Sequence, residues 1–341
     1  TKTPGLAILE IRDGEPQPEI VRGRRANDGP DPVQPGDSWH IGSNSKPITT
    51  TLIAVLVDRR RLRWESRLGD IFPELAATMH PAYRDVTVED LASHRSGLAG
   101  EVGTELLQRY QNDSRPLPLQ RHEFLRTILA QTPTQPRGTY AYSSRGFVVL
   151  GAIAEQVGGR PVEALLRTLV FEPLEMDTAA FGPTPRGQPL GHERGAPVEG
   201  ARQDNPALFT TAGTMRMSLP DWARWAVDQM EGERGRGRLM SAASYRRLHT
   251  PLFQIPGRTS SVGLGWGIRQ ESFGRFLTHT GSNGLWYAAI GLAPDIRSGI
   301  LIATNSAEDM GGDVATDPAW ELAKQRWRNG SPRAGGNGEP R

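Results

Sequence analysis

Cysteine is absent from the 341 residues, which removes disulfide staples, thiolate metal sites and cysteine nucleophiles at once. Lysine is nearly as scarce. Lys2, Lys46 and Lys324 are the only three, so 37 of the 40 cationic residues are arginine. Arginine stays charged at any working pH, whereas a lysine can be tuned to lose its proton, so each lysine warrants inspection. No run of about 18 uncharged apolar residues occurs, and nothing reads as a membrane span. The seven histidines show no His-Glu-x-x-His or similar metal spacing. A Gly-x-Ser-x-Gly elbow, a Walker loop and a Gly-x-Gly-x-x-Gly turn are also missing, which argues against the α/β-hydrolase and nucleotide-binding routes. The net charge of +2 points to no nucleic-acid partner.

What is present is ordinary globular material. Hydrophobic residues make up 37%, and 39 glycines bring the apolar share to that of a folded domain. The length fits one large unit or two interwoven ones. The chain opens at Thr1 with no signal-type apolar stretch, which leaves the earlier removal of a leader open.

Segment 5–11, the turn at Asp13–Gly14 and the run from Glu19 to Gly23 predict a β-hairpin start. Over 43–60, Ile48, Leu52, Val55 and Leu56 fall at helical spacing, with Leu62 just beyond, and Pro47 is tolerable only near the helix start. Further helices are predicted over 88–93, 122–131, 144–157, 162–170, 219–230 and 317–327. Strands are predicted over 262–269, 275–280, 286–293 and 298–304. Strands at both ends with helices between them imply an α+β fold, an antiparallel sheet flanked by helices with an inserted, mostly helical domain. The expected division is 1–67 plus 215–328 for the sheet-containing domain, 68–214 for the helical one and 329–341 for a flexible tail.

Three short patterns carry chemistry. Ser43 and Lys46 form a Ser-x-x-Lys at the start of a buried helix, where residues three apart share a face. A serine needs a neighbouring base to become nucleophilic, and a desolvated lysine can serve. A helix N-terminus also directs N–H groups at negative charge developing on a bound carbonyl oxygen. Tyr142-Ser143-Ser144 precedes another helix, and taken alone it reads as a half-buried aromatic beside a turn. His279-Thr280-Gly281 ends a strand and is followed by Ser282. Gly281 there would let a substrate backbone come close to the strand edge. Arg59-Arg60-Arg61 reads as a cap on a helix dipole.

Their order and separation resemble the serine β-lactamase and penicillin-binding family, which carries Ser-x-x-Lys and Lys-Thr-Gly motifs. The tyrosine points to its class C branch, which also holds D-alanyl-D-alanine carboxypeptidases and family VIII esterases. LASHRSGL at 91–98, YSSRGFVVLG at 142–151, TTAGTMRMSLPDWARW at 210–225 and GLGWG at 263–267 extend the resemblance from about residue 4 to 306. It implies Ser43 as nucleophile, Lys46 as general base and Tyr142 as the second acid/base. It also implies an oxyanion hole from the N–H groups of Ser43 and Ser282, with His279 and Thr280 lining the strand side. Two positions depart from the pattern. Ser144 stands where an asparagine is usual, and His279 where a lysine is usual, which argues against an efficient β-lactamase. The expectation is an acyl-enzyme esterase on a small ester, with D-alanyl-D-alanine carboxypeptidase or β-lactamase as alternatives on a peptide or β-lactam. A non-catalytic penicillin-binding or sensor domain is the reading of another class. No cofactor is required, and a periplasmic or secreted location is expected, with a cytoplasmic one as alternative.

Overall fold

The computed structural model describes residues 2–98, 100 and 103–330. Its centre is an antiparallel sheet built from β1 (Gly5–Arg12), β2 (Gly267–Glu271), β3 (Gly274–Ser282), β4 (Tyr287–Ala293) and β5 (Ser298–Thr304). These pair in the order β1-β5-β4-β3-β2, and short strands extend both edges. The register sets Leu9 opposite Leu301, Leu301 opposite Ile290, and Ile290 opposite His279. Alternation along β1 sends Ala7, Leu9 and Ile11 into the main core, while Leu6 and Ile8 pack with Phe276, Ile302 and Trp327 on the other face. The second face is covered by the helix Asp317–Gly330.

The first helix, α1 (Ser45–Asp58), follows a 3₁₀ turn at Gly42–Asn44 and is buried continuously from Ser45 to Leu56. A helix buried on every side must satisfy its own polar groups. Thr49 Oγ1 donates to Ser45 O and Thr211 O, and Thr50 Oγ1 donates to Pro47 O and Leu264 O. Pro47 is the third helical residue, where no i−4 bond is lost. Helix α3 (Ser144–Gly158) packs on α1 and carries α2 (Leu117–Leu129) in turn, while α4 (Leu219–Gly232) reaches α1 through Trp225, whose Nε1 donates to Thr51 Oγ1 at 3.2 Å. Arg121 on α2 is fully buried and binds Glu155 on α3 and Glu163 beyond it, with each carboxylate taking two donors.

Several expected boundaries shift. α2 starts five residues before the predicted 122, because Pro118 fits the first helical turn. The single strand expected over 262–269 is two, Ser261–Val262 and Gly267–Glu271, separated by a turn that Gly263 N–H closes onto Trp266 O. The helix at 162–170 gives way to a π turn at Arg167–Phe171. Of the tail expected over 329–341, Asn329 and Gly330 are still helical, and 331–341 lie outside the described residues. Helices at Thr104–Gln111 and Ala242–Leu248 were not anticipated. Nor was a small sheet that sets Met215–Met217 between Trp39–His40 and Ala180–Phe181.

Just past α4, Glu233 ties that helix to the sheet. Its carboxylate binds His249 Nδ1 at 2.6 Å and Arg275 Nη2 of β3 at 2.7 Å. Burial opposes its ionisation, but these two partners outweigh burial and hold its pKa down to about 2 from an ordinary 4.5. A depressed carboxylate pKa stabilises the fold fully above the unfolded value and loses that contribution as pH falls toward the folded one. Glu233→Gln should therefore flatten the loss of stability between about pH 4.5 and 2. Urea midpoints measured across that range test it, and parallel curves for variant and wild type would refute the role of Glu233.

Candidate active site

The site is assembled around the turn before α1. His40 belongs to the small sheet, and Ile41 N–H donates to Met215 O. Gly42 then takes φ +52°, the left-handed region that favours glycine. A Cβ on Gly42 would lie 2.7 Å from Ser282 N, and one on Gly281 would lie 2.2 Å from Ile41 O and 2.5 Å from Ser43 N. Two glycines thus let the turn press directly onto β3. The space that the missing Gly281 side chain leaves is filled by the chain's own backbone. Asn44 clamps the same turn, donating to Ile41 O at 2.9 Å and to Ala288 O of β4 at 3.0 Å.

Lys46 is fully buried. Its Nζ lies 2.9 Å from Ser43 Oγ and 2.7 Å from Ala212 O, and 4.9 Å from the centroid of the Tyr142 ring. Ser43, one turn earlier, is half-buried. Tyr142 is 37% exposed, and its ring lies on His94 with centroids 4.6 Å apart. Ser143 caps α3 by accepting from Gly146 N–H at 3.0 Å, while its own N–H donates to His94 Nδ1 at 3.0 Å. Tyr142 and Ser144 are thereby fixed on either side of the cap. Burial holds His94 well below the ordinary histidine pKa, and the charge of Lys46 lowers it further.

Ser43, Tyr142, Ser144 and Ser282 open on one cavity of about 290 Å³, together with Asn205 and Asn283. Leu107, Phe209, Ala212 and Gly213 supply the rest of its wall. His279, Thr280 and Gly281 precede Ser282 on β3 and do not themselves line that cavity. His279 Nδ1 donates to Thr280 O at 2.7 Å. Burial, then the charge of Lys46, pushes its pKa down to about 3, so it is neutral at pH 7. Thr280 alternates to the other face of β3, where its side chain meets the Tyr287 hydroxyl. Ser282 Oγ accepts from Gly284 N–H at 3.0 Å.

The sequence reading did not single out Asn44, His94, Asn205 or Asn283. His94 sits inside the quoted 91–98 segment, but its contact with Tyr142 joins residues 48 positions apart. Asn205 precedes Pro206 in an irregular stretch with no periodicity to mark it. Among the described residues no cluster of His, Asp and Glu is placed to hold a metal ion, and no helix is long and apolar enough to cross a membrane.

Comparison with known proteins places this chain in a family. The family model described as Beta-lactamase matches residues 1–325. Over 308 residues the chain is 24% identical to the unguisins hydrolase ungD of Aspergillus violaceofuscus, which covers 80% of this chain and 53% of that protein. Over 189 residues it is 25% identical to the esterase/beta-lactamase LipL of Mycobacterium tuberculosis, covering 54% of this chain and 41% of that one. The chain spans about half the length of the curated relatives it matches. Among solved structures, the D-alanine carboxypeptidase AmpC from Burkholderia cenocepacia superimposes with a TM-score of 0.76 at 19% identity, over 95% of this chain and 94% of that one. The match of fold and of nearly the whole sequence places the chain in the beta-lactamase family of serine hydrolases.

Proposed function

We propose that this chain is an esterase that cleaves small uncharged carboxylic esters through an acyl-enzyme. The observation that carries the reading is the contact between Ser43 and the buried Lys46, at a cavity whose lining, among the described residues, includes no charged side chain. Desolvation favours the neutral, proton-accepting form of a buried amine. Ser43 Oγ attacks the ester carbonyl as its proton passes to Lys46 Nζ. The oxyanion is held by the N–H groups of Ser43 and Ser282, which the Gly42–Gly281 contact brings together. Collapse releases the alcohol, protonated by way of Tyr142, and water then frees the acid from Ser43.

The two departures from the family pattern set substrate preference. With His279 neutral and, among the described residues, no cation lining the cavity, a substrate carboxylate finds no charged partner there, so β-lactams and D-alanyl-D-alanine peptides are held less firmly than a neutral ester. The relative named an esterase/beta-lactamase supports an ester substrate. The cleft also fits the division into a sheet-containing unit, 1–67 with 215–328, and a helical unit, 68–214. Ser43, Lys46 and Ser282 come from the first, and Tyr142, Ser144 and Asn205 from the second.

Ser43→Ala should abolish turnover, by about 10⁶ in kcat where the nucleophile is covalent. Intact-mass spectrometry with a slow acylating inhibitor should show one adduct on the wild type and none on the variant. Lys46→Arg keeps the charge but cannot accept a proton, and should lower kcat at least about 100-fold, the usual contribution of a positioned general base. Near-wild-type activity in a folded Lys46→Arg protein would make Lys46 a structural cation.

Substrate preference is read by comparing kcat/KM for a p-nitrophenyl ester, a chromogenic cephalosporin and a D-alanyl-D-alanine peptide. The ester should be preferred, and Ser144→Asn with His279→Lys should shift the ratio toward the cephalosporin. A wild type that already favours the cephalosporin would refute the esterase assignment.

A further inference from the structure

We infer that Asn205 selects the acyl group by pairing its side-chain amide with an amide of the substrate, so that the preferred substrates are esters of N-acylated amino acids. The inference rests on the esterase reading for the reaction and on separate observations for the recognition. The wall of the active-site cavity holds two side-chain amides. That of Asn283 is already used, since its Nδ2 donates to Gln203 O at 2.9 Å and its Oδ1 accepts from Leu285 N–H at 3.1 Å. That of Asn205 has no hydrogen-bond partner among the described residues, although the residue is half-buried.

Asn205 is also held in place relative to the nucleophile. Asp204 Oδ1 accepts Asn205 N–H at 2.7 Å and binds His40 Nε2 at 2.8 Å. The other ring nitrogen of His40 accepts Gly42 N–H at 3.2 Å, which assigns the ring proton to Nε2. His40 and Asp204 are both buried, and Gln111 Nε2 donates to Asp204 O at 3.1 Å. Pro206 narrows the backbone freedom of Asn205 further. A continuous chain of hydrogen bonds therefore runs from the residue before Ser43 to the backbone of Asn205. A Cβ on Gly213 would lie 3.7 Å from Asn205 Nδ2 and 3.8 Å from Gly42 C, so the amide and the turn that carries Ser43 flank Gly213 on the wall of the same cavity.

A primary amide offers one donor face and one acceptor face, the complement of a secondary amide's C=O and N–H. An aliphatic acyl chain would leave both unpaired, and a carboxylate would engage only the donor. Asn205 thus supplies the amide that Ser144 lacks, from a different part of the chain.

The test uses p-nitrophenyl esters of each enantiomer of N-acetyl-alanine and of 2-methylpentanoic acid, in which two methylenes replace the amide. Intrinsic reactivity differs between the esters, so the quantity read is how a variant changes the ratio of their kcat/KM values. Asn205→Ala should lower the ratio of amide-bearing to aliphatic ester about tenfold, the worth of one or two neutral hydrogen bonds. Asn205→Asp, which loses the donor and keeps the shape, should also lower it. An unchanged ratio in both folded variants overturns the inference. Binding of N-acetyl-alaninamide to Ser43→Ala, followed by NMR titration with and without Asn205→Ala, needs no turnover. Should the wild type hydrolyse neither ester, the esterase reading fails. Amide pairing then stands if Asn205→Ala weakens binding about tenfold and falls if it does not.

Discussion

The contact on which the site depends is between two stretches of backbone. The turn that presents Ser43 lies against β3 at a distance that no side chain at Gly42 or Gly281 would permit. It is closed from below by Asn44, whose amide reaches both the turn and β4. The distance between Ser43 and the Ser282 N–H is therefore set by sheet geometry. A site built on strand and helix ends in this way is positioned more tightly than one carried on loops. The sheet itself is kept in register by buried apolar alternation, because a slip of one residue would turn His279 and Gly281 to the opposite face.

The second constraint is that a long amine has been taken out of water. A buried charge is costly unless it is paired or neutralised. Lys46 shares its surroundings with His94 and His279, whose pKa values are both lowered by burial and by its charge. Neither histidine then adds positive charge beside Lys46 near neutral pH.

How much of this was legible in the sequence depended on whether the information was local. The contact between Ser43 and Lys46 is readable because a spacing of three across the 3₁₀ turn that leads into α1 sets both on one face. β1, β4 and β5 are readable because their apolar runs are long enough to show. The small sheet that positions His40 consists of strands two or three residues long, too short for any period. The placement of His94 under Tyr142, and of Asn205 on the cavity that Ser43 lines, arises from packing between segments far apart in the chain, which no local pattern encodes. Gly281 shows a subtler gap. Its need for a small residue was foreseeable, but which backbone fills the space was not.

Asn205 and Ser144 make the same point about chemistry. Reading motifs position by position assigns a missing amide to the residue where the motif lacks it, and concludes that the function is lost. A cavity is indifferent to chain order, and any segment that reaches the wall can contribute a hydrogen-bonding group. What decides whether such a group is useful is its rigidity, because an amide that must be ordered on binding gives back part of its hydrogen-bond energy as entropy. The buried bond between His40 and Asp204 holds the Asn205 backbone before substrate arrives. The irregular stretch at 203–206 is thus ordered by polar contacts where secondary structure is lacking, and those contacts lead back to the turn that carries Ser43.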